Sequence, residues 1–224
     1  MADASLSSRV YDDILGRILS GRMKPGDVFN RRQVAAELGV SVAPVLEAML
    51  ELETEGLIQT LPRRGTRVRL PDARDVWGHA VVREAIESQA ARIYCGAPVL
   101  RHQSRLLRLA EALDALPAGS VDQIRQEIRF HHYLVALAAC EPLTRAFERI
   151  MKLGLLHAAA LLEGEQSLLP SHVALVEALL TSDPDAAQNA IRAHLHNLRA
   201  PHAATESPVG DEAPALPNWL SETV

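Results

Sequence analysis

Asn30-Arg31-Arg32-Gln33-Val34-Ala35-Ala36-Glu37-Leu38-Gly39-Val40-Ser41-Val42-Ala43-Pro44-Val45 is the stretch on which the fold turns. Val34, Ala35 and Leu38 share one helical face, so a short helix is expected from about Arg31 to Leu38, with Asn30 as its N-cap. Gly39 suits a left-handed turn position, and Val40 is placed to plug the core between two helices. Ser41 is expected to cap the next helix. Pro44 falls in its first turn, where a missing N–H costs little. That helix should run to about Glu55, where Gly56 ends it.

Upstream, Val10, Ile14 and Ile18, with Tyr11 and Leu15, form one apolar face of a helix from about Ser7 to Ser20. Gly21 stops it, and Lys24-Pro25-Gly26-Asp27 is a turn. Downstream the period changes: Leu57 to Thr60 and Thr66 to Leu70 read as two short strands joined by Leu61-Pro62-Arg63-Arg64-Gly65. Helix, helix, short turn, helix and hairpin is the order of a winged helix-turn-helix, whose second paired helix enters the DNA major groove. A basic hairpin there can touch the backbone or minor groove. Pro71 to Asp75 reads as a link, and from there the chain is helical, with helices expected near 74–95, 98–115, 121–139, 142–162, 170–181 and 184–199. Asp183-Pro184 supplies an N-cap with proline at the first helical position. The expected fold is therefore mainly α. A winged helix-turn-helix of three helices and a hairpin spans 1–72, an antiparallel helical bundle spans 73–200, and a loose tail spans 201–224 in which Leu216, Trp219 and Leu220 could dock.

Composition sets the outer limits. The chain has 224 residues, 48% of them hydrophobic and 4% aromatic, which supports a buried core and favours helix. No apolar run approaches the roughly 20 residues needed to cross a bilayer, and MADASLSSR lacks a signal-peptide core. Two cysteines, Cys95 and Cys140, make neither a disulfide framework nor a four-thiolate zinc site. A cytoplasmic protein without membrane partners is the expectation. The net charge of −5 divides unevenly: residues 1–74 carry 11 Lys/Arg against 10 Asp/Glu, and the remainder 12 against 18. Arg63, Arg64, Arg67 and Arg69 stand without an acid between Leu61 and Leu70, so the acidic total does not exclude DNA.

The stretch from Ile14 to Leu70 resembles the DNA-binding domain of the GntR superfamily of bacterial transcription factors. The resemblance rests on Ile18-Leu19-Ser20-Gly21, Lys24-Pro25-Gly26-Asp27, Val34 through Ser41, Pro44-Val45, Glu47-Ala48-Met49, Leu52, Glu55-Gly56-Leu57 and Arg64-Gly65-Thr66-Arg67-Val68. The helical remainder is similar to the ligand-binding domain of the FadR-like, or FCD, branch. This implies contact with double-stranded operator DNA through Arg31, Arg32, Ser41, Val42, Pro44, Arg63, Arg64, Gly65, Thr66 and Arg67. One departure stands out. Family members usually carry arginine after the capping serine and again before the Glu-Ala pair, and here those positions are Val42 and Leu46.

Nine histidines raise the question of a metal. Glu127 and His131 are i, i+4 on one expected helix. His172 opens a later helix and His194 follows 22 residues on, across a short turn. One carboxylate and three imidazoles suit a divalent transition metal such as zinc, nickel or manganese, although spacing alone is a weak signal and a lone inward histidine is more often a satisfied core residue. The resemblance adds weight: FCD domains present D-x-x-F-H, matched by Glu127-Ile128-Arg129-Phe130-His131, with two further histidines near the spacing of His172 and His194. His132 and His196 neighbour these positions and are expected to point elsewhere, while His79, His102, His157 and His202 have no evident partner. By the same resemblance the metal helps to hold a small carboxylate effector. Arg83 is the candidate grip for it, unless it forms only a surface pair with Glu87. The expected protein is a homodimeric, ligand-responsive regulator, repressing as most relatives do, and not an enzyme. The alternatives are a metal sensor without an organic effector and a helical-bundle metalloenzyme.

Overall fold

A computed structural model describes residues 5–117, 120–161 and 171–196. The N-terminal region comprises α1 (Leu6–Leu19), β1 (Val28–Phe29), α2 (Arg31–Leu38), α3 (Val42–Thr54), β2 (Ile58–Leu61) and β3 (Gly65–Val68). Asn30 caps α2 by accepting the Gln33 N–H at 2.9 Å, and Gly39 closes it in the left-handed conformation at φ 64°. Ser41 stands at the N-cap of α3, but its hydroxyl makes no capping bond, contrary to expectation.

The hairpin is also larger than the sequence suggests. Val28 and Phe29 pair antiparallel with Arg67 and Thr66, so the sheet has three strands in the order β1-β3-β2. The extra strand follows from the Lys24–Asp27 turn, which leaves Gly26 N–H on Val68 O and Val68 N–H on Asp27 O, each at 2.9 Å. Two residues are too few to show a β period in sequence. Beneath the sheet lies a core of Val10, Ile14, Ile18, Val34, Val45, Leu52, Leu57 and Val68, all buried.

The bundle follows as α4 (Ala73–Tyr94), α5 (Ala97–Asp114), α6 (Val121–Ala136), α7 (Glu141–Leu161), α8 (His172–Leu179) and α9 (Pro184–His196). Asp72 and Asp75 form a reciprocal capping box at the start of α4. Helix α6 ends earlier than expected because Ala139 takes a positive φ of 48°. A second core, including Tyr94, Leu106, Phe130, Leu134, Phe147, Val176, Leu179 and Ile191, fills the space between these helices. The expected tail at 201–224 and His202 lie outside the described residues.

Helix α7 joins the two cores. Leu153 packs against the N-terminal core, and Arg149 donates to Thr54 O at 3.0 Å. The Lys152 ammonium donates to Tyr11 Oη at 2.6 Å and to Glu55 Oε1 at 2.8 Å, while the Tyr11 hydroxyl donates to Glu55 Oε2 at 2.5 Å. Burial first, and then Glu55, push the Tyr11 phenol up, so it remains a donor. Among the described residues no single helix is long and apolar enough to cross a membrane.

Candidate metal centre and DNA-facing surface

Three helices converge on one buried cluster. Glu127 and His131 lie one turn apart on α6, His172 opens α8, and His194 lies in the last turn of α9. All four are buried, and one ligand atom from each lies within 4.8 Å of the others. The imidazole centroids of His172 and His194 are 4.7 Å apart, with His131 at 5.3 Å from His194 and 5.8 Å from His172. Glu127, one methylene longer than the family's aspartate, still reaches the cluster.

Hydrogen bonding shows which atoms are already committed. The Glu87 carboxylate on α4 meets His131 Nδ1 at 2.5 Å, and Asp114 at the end of α5 meets His172 Nδ1 at 2.7 Å. Asp114 also accepts the His172 and Val173 N–H groups and the Ser171 hydroxyl, fixing the start of α8. Each Nδ1–carboxylate contact turns the other nitrogen inward. His172 Nε2 lies 2.6 Å from Glu127 Oε2. His131 Nε2 is 3.2 Å from Glu127 Oε1 but poorly aligned for a hydrogen bond, so it and His194 Nε2 remain buried without a hydrogen-bond partner. An inward-facing, desolvated nitrogen lone pair is costly unless a proton or a metal satisfies it. The donor set and the two orphaned atoms therefore fit a divalent transition metal.

Arg83 belongs to the same network. It donates from Nε to Glu87 at 2.6 Å and from Nη2 to Glu127 at 3.0 Å. The i, i+4 pair with Glu87 forms, but it is buried rather than on the surface. Burial alone would raise the Glu87 carboxyl; His131 and Arg83 outweigh it and hold the group down at about 2. Burial likewise opposes charge on His131, yet Glu87 and Glu127 draw it up to about 9. His194 goes the other way, lowered to about 3 by burial and then by positive His131. The cluster thus favours the charged form of His131 and the neutral form of His194, opposite directions for two imidazoles that share one buried site.

Neither Glu87, as a support for His131, nor Asp114 was found by sequence reasoning. Glu87 shares its helical face with Ala90, Ala91 and Tyr94, whose burial shows only in the fold, and Asp114 is a helix-terminal acid, so neither carries a sequence signal. His132 faces away from the cluster, 2.8 Å from Glu148, as expected. It lines a cavity of about 310 Å³ between α6 and α7, together with Tyr133, Phe147, Met151 and Lys152. His102 Nδ1 meets Tyr133 Oη at 2.6 Å.

On the N-terminal region, Arg31 and Arg32 are exposed in the first turn of α2, and α3 follows at a bend of 120°. That angle belongs to a helix-turn-helix. Ser41 and Val42 are exposed and Pro44 is half-buried. Arg63 and Arg64 project at the hairpin tip, where Gly65 has φ 95° and a Cβ would meet Phe29 O at 2.8 Å, so only glycine fits. Thr66 is buried, which leaves its side chain unavailable to DNA, and Arg67 is tied to Gln59 Oε1 at 3.0 Å.

Comparison with known proteins fits this arrangement. The family model for bacterial regulatory proteins of the gntR family matches residues 6–68, and that for the FCD domain matches residues 80–197. The chain belongs to the GntR family of transcriptional regulators, in its FCD branch. Among relatives of this GntR regulator, a probable D-xylose utilization operon transcriptional repressor of Paenarthrobacter nicotinovorans is 29% identical over 199 residues, covering 85% of this chain and 86% of its own. The HTH-type transcriptional repressor RspR of Escherichia coli is 26% identical, with 86% and 87% covered. A putative GntR regulator from Rhodococcus sp. RHA1 shares the fold, with a TM-score of 0.72, 21% identity, and 87% of this chain and 96% of its own covered.

Proposed function

We propose that this GntR regulator is a homodimeric repressor whose bundle binds a divalent transition metal and, through it, a small carboxylate effector. The observation that carries the metal is the pair of buried Nε2 atoms, on His131 and His194, without a hydrogen-bond partner among ligand atoms 4.8 Å or less apart. Glu127, His131, His172 and His194 would hold the ion. When bound, it would act as a Lewis acid toward an anionic ligand. Glu87 and Asp114 hold the imidazoles of His131 and His172 in the tautomers that ligation needs. Arg83 is a charge reservoir beside the site, and an incoming carboxylate can compete with Glu87 and Glu127 for its guanidinium.

DNA contact is assigned to Arg31, Arg32, Arg63 and Arg64 as phosphate grips, with Ser41, Val42 and Pro44 at the start of α3 toward the bases. We place the division between DNA-binding and effector domains at about Asp72. The path between them is α7, which lines the cavity behind α6 and carries Lys152 and Arg149 onto α1 and α3. A change in the position of α6 on ligand binding would be felt at those contacts, and coupling requires that the ligand favour one of two arrangements.

A second reading has support of its own. Four buried protein donors can saturate a tetrahedral ion, which would leave no coordination position for an effector and make the site structural or metal-sensing. The test is metal analysis after exhaustive dialysis, then anisotropy titration on the chain's own upstream DNA with metal, with chelator, and with added dicarboxylates. Release of DNA by an organic acid only in the metal-loaded protein supports the effector reading. Release or capture by metal alone supports the sensor. Full DNA affinity in all states overturns both.

A further inference from the structure

The helix placed to enter the major groove has no basic residue. Val42 to Thr54 carries Glu47, Glu51 and Glu53 and neither lysine nor arginine. Its solvent side is instead an apolar ridge: Val42, Leu46 and Leu50 fall at i, i+4 and i+8 and are 39%, 42% and 56% exposed. Ala43, also exposed, extends the ridge. The adjoining face, with Val45, Ala48, Met49 and Leu52, is the one buried in the N-terminal core, so the ridge is not a misplaced core face. The exposed positive charge of this region stands on other elements, on Arg31 and Arg32 in the first turn of α2 and on Arg63 and Arg64 at the hairpin tip.

We propose that Val42 and Leu46 read the 5-methyl groups of thymines in the operator major groove, so that the half-site is specified by apolar contact rather than by guanidinium–guanine pairing. The inference rests on the DNA-binding reading above and deepens it. An apolar side chain at a base edge finds one apolar partner in the major groove, the thymine methyl. Phosphate contacts position the protein without conveying sequence, and the exposed arginines of α2 and the hairpin tip suffice for that. The division also answers the acidic α3: Glu47 and Glu51, both exposed, disfavour phosphate contact by this helix, so the phosphate grips fall to the arginines of α2 and the hairpin tip. With its hydroxyl unused in capping, Ser41 is available to donate to a phosphate or a base at the same end.

The test uses the full chain and a random duplex library. Selection should recover half-sites with thymines, not guanines, at the base pairs that methylation and ethylation footprints place beneath α3. Replacing those thymines by uracil removes only the methyl groups. Wild-type affinity should then fall about fourfold per methyl, the factor corresponding to about 0.8 kcal/mol of apolar burial. Leu46→Ala should bind with little sensitivity to uracil at one position, and Leu46→Arg should shift the selected base there toward guanine. Both substitutions are at an exposed position, and thermal unfolding of each variant should match wild type. Selected sites with guanine under α3, or uracil substitution without effect on specific binding, would overturn the proposal while leaving DNA binding intact. Salt-labile binding without sequence preference would overturn it too. Absence of any DNA binding would overturn the DNA reading along with it. A change in oligomer mass for Leu46→Ala, with the uracil response unaltered, would assign the ridge to a protein contact instead.

Discussion

The N-terminal core is built of Val10, Ile14, Ile18, Val34, Val45, Leu52, Leu57 and Val68, with its charges outside on α2 and the hairpin tip. The bundle core encloses Glu87, Glu127, His131, His172 and His194 among its apolar side chains, with the half-buried Arg83 bonded to Glu87 and Glu127 beside them. The first arrangement is complete without a ligand: apolar burial stabilises it, and its side chains pack against others of their own kind. The second leaves two imidazole nitrogens unsatisfied and holds its charges only by their mutual pairing. Burying paired charges gains little over apolar packing, and losing one partner is strongly destabilising. The N-terminal core is therefore closed by apolar packing alone, whereas the stability of the bundle depends on how the charges and imidazoles of its cluster are paired.

The contrast can be broken most severely at the ligands. His172→Ala should abolish stoichiometric metal retention after dialysis, read by elemental analysis, while the isolated change leaves non-specific DNA binding in place. Leu52→Ala, in the dry core, should cost about 2–5 kcal/mol of stability by denaturant unfolding and leave metal content per folded molecule untouched. If that variant instead loses metal, the two cores are not energetically separate.

Smaller effects sharpen the comparison. Glu87→Gln keeps the shape of the side chain that orients His131 but removes its charge, and should weaken metal affinity about 10- to 100-fold by competition with a chelator. In the metal-free protein His131 is raised from 6.5 to about 9, so its contribution to stability is fully present below pH 6.5 and is lost as pH rises through about 9. The stripped protein should therefore melt at progressively lower temperature between pH 7 and roughly 9.5, a trend that metal loading should blunt because the ion replaces the proton. The smallest effect belongs to the exposed arginines. Arg31→Ala with Arg64→Ala should flatten the dependence of log affinity on log salt by about 0.9 for each phosphate no longer neutralised, with little change in melting temperature.

Much of this was legible from residues alone. Asn30, Gly39 and Pro44 announce the helix-turn-helix because capping, left-handed turns and missing N–H groups are local matters. Glu127 and His131 declare themselves by i, i+4 spacing. The strand at Val28–Phe29 was not legible, because a two-residue strand exists only through its partner β3. The same holds for Glu87 and Asp114. Each reads as an ordinary helical acid until α4, α5, α6 and α8 are packed together, 44 residues separating Glu87 from His131 and 58 separating Asp114 from His172.

The sequence by itself determined the order of elements, the family, the four candidate ligands and the absence of basic residues from the second helix of the motif. These follow from periodicity and residue type, which act over one or two turns of chain. Only the tertiary structure decided which nitrogens face the middle of the cluster without a hydrogen-bond partner, that Arg83 is drawn into that cluster rather than lying on the surface, and that α7 carries Lys152 onto Tyr11 and Glu55. The reason is physical: desolvation, ion pairing and lone-pair satisfaction depend on which distant segments exclude water together, and no local pattern encodes that.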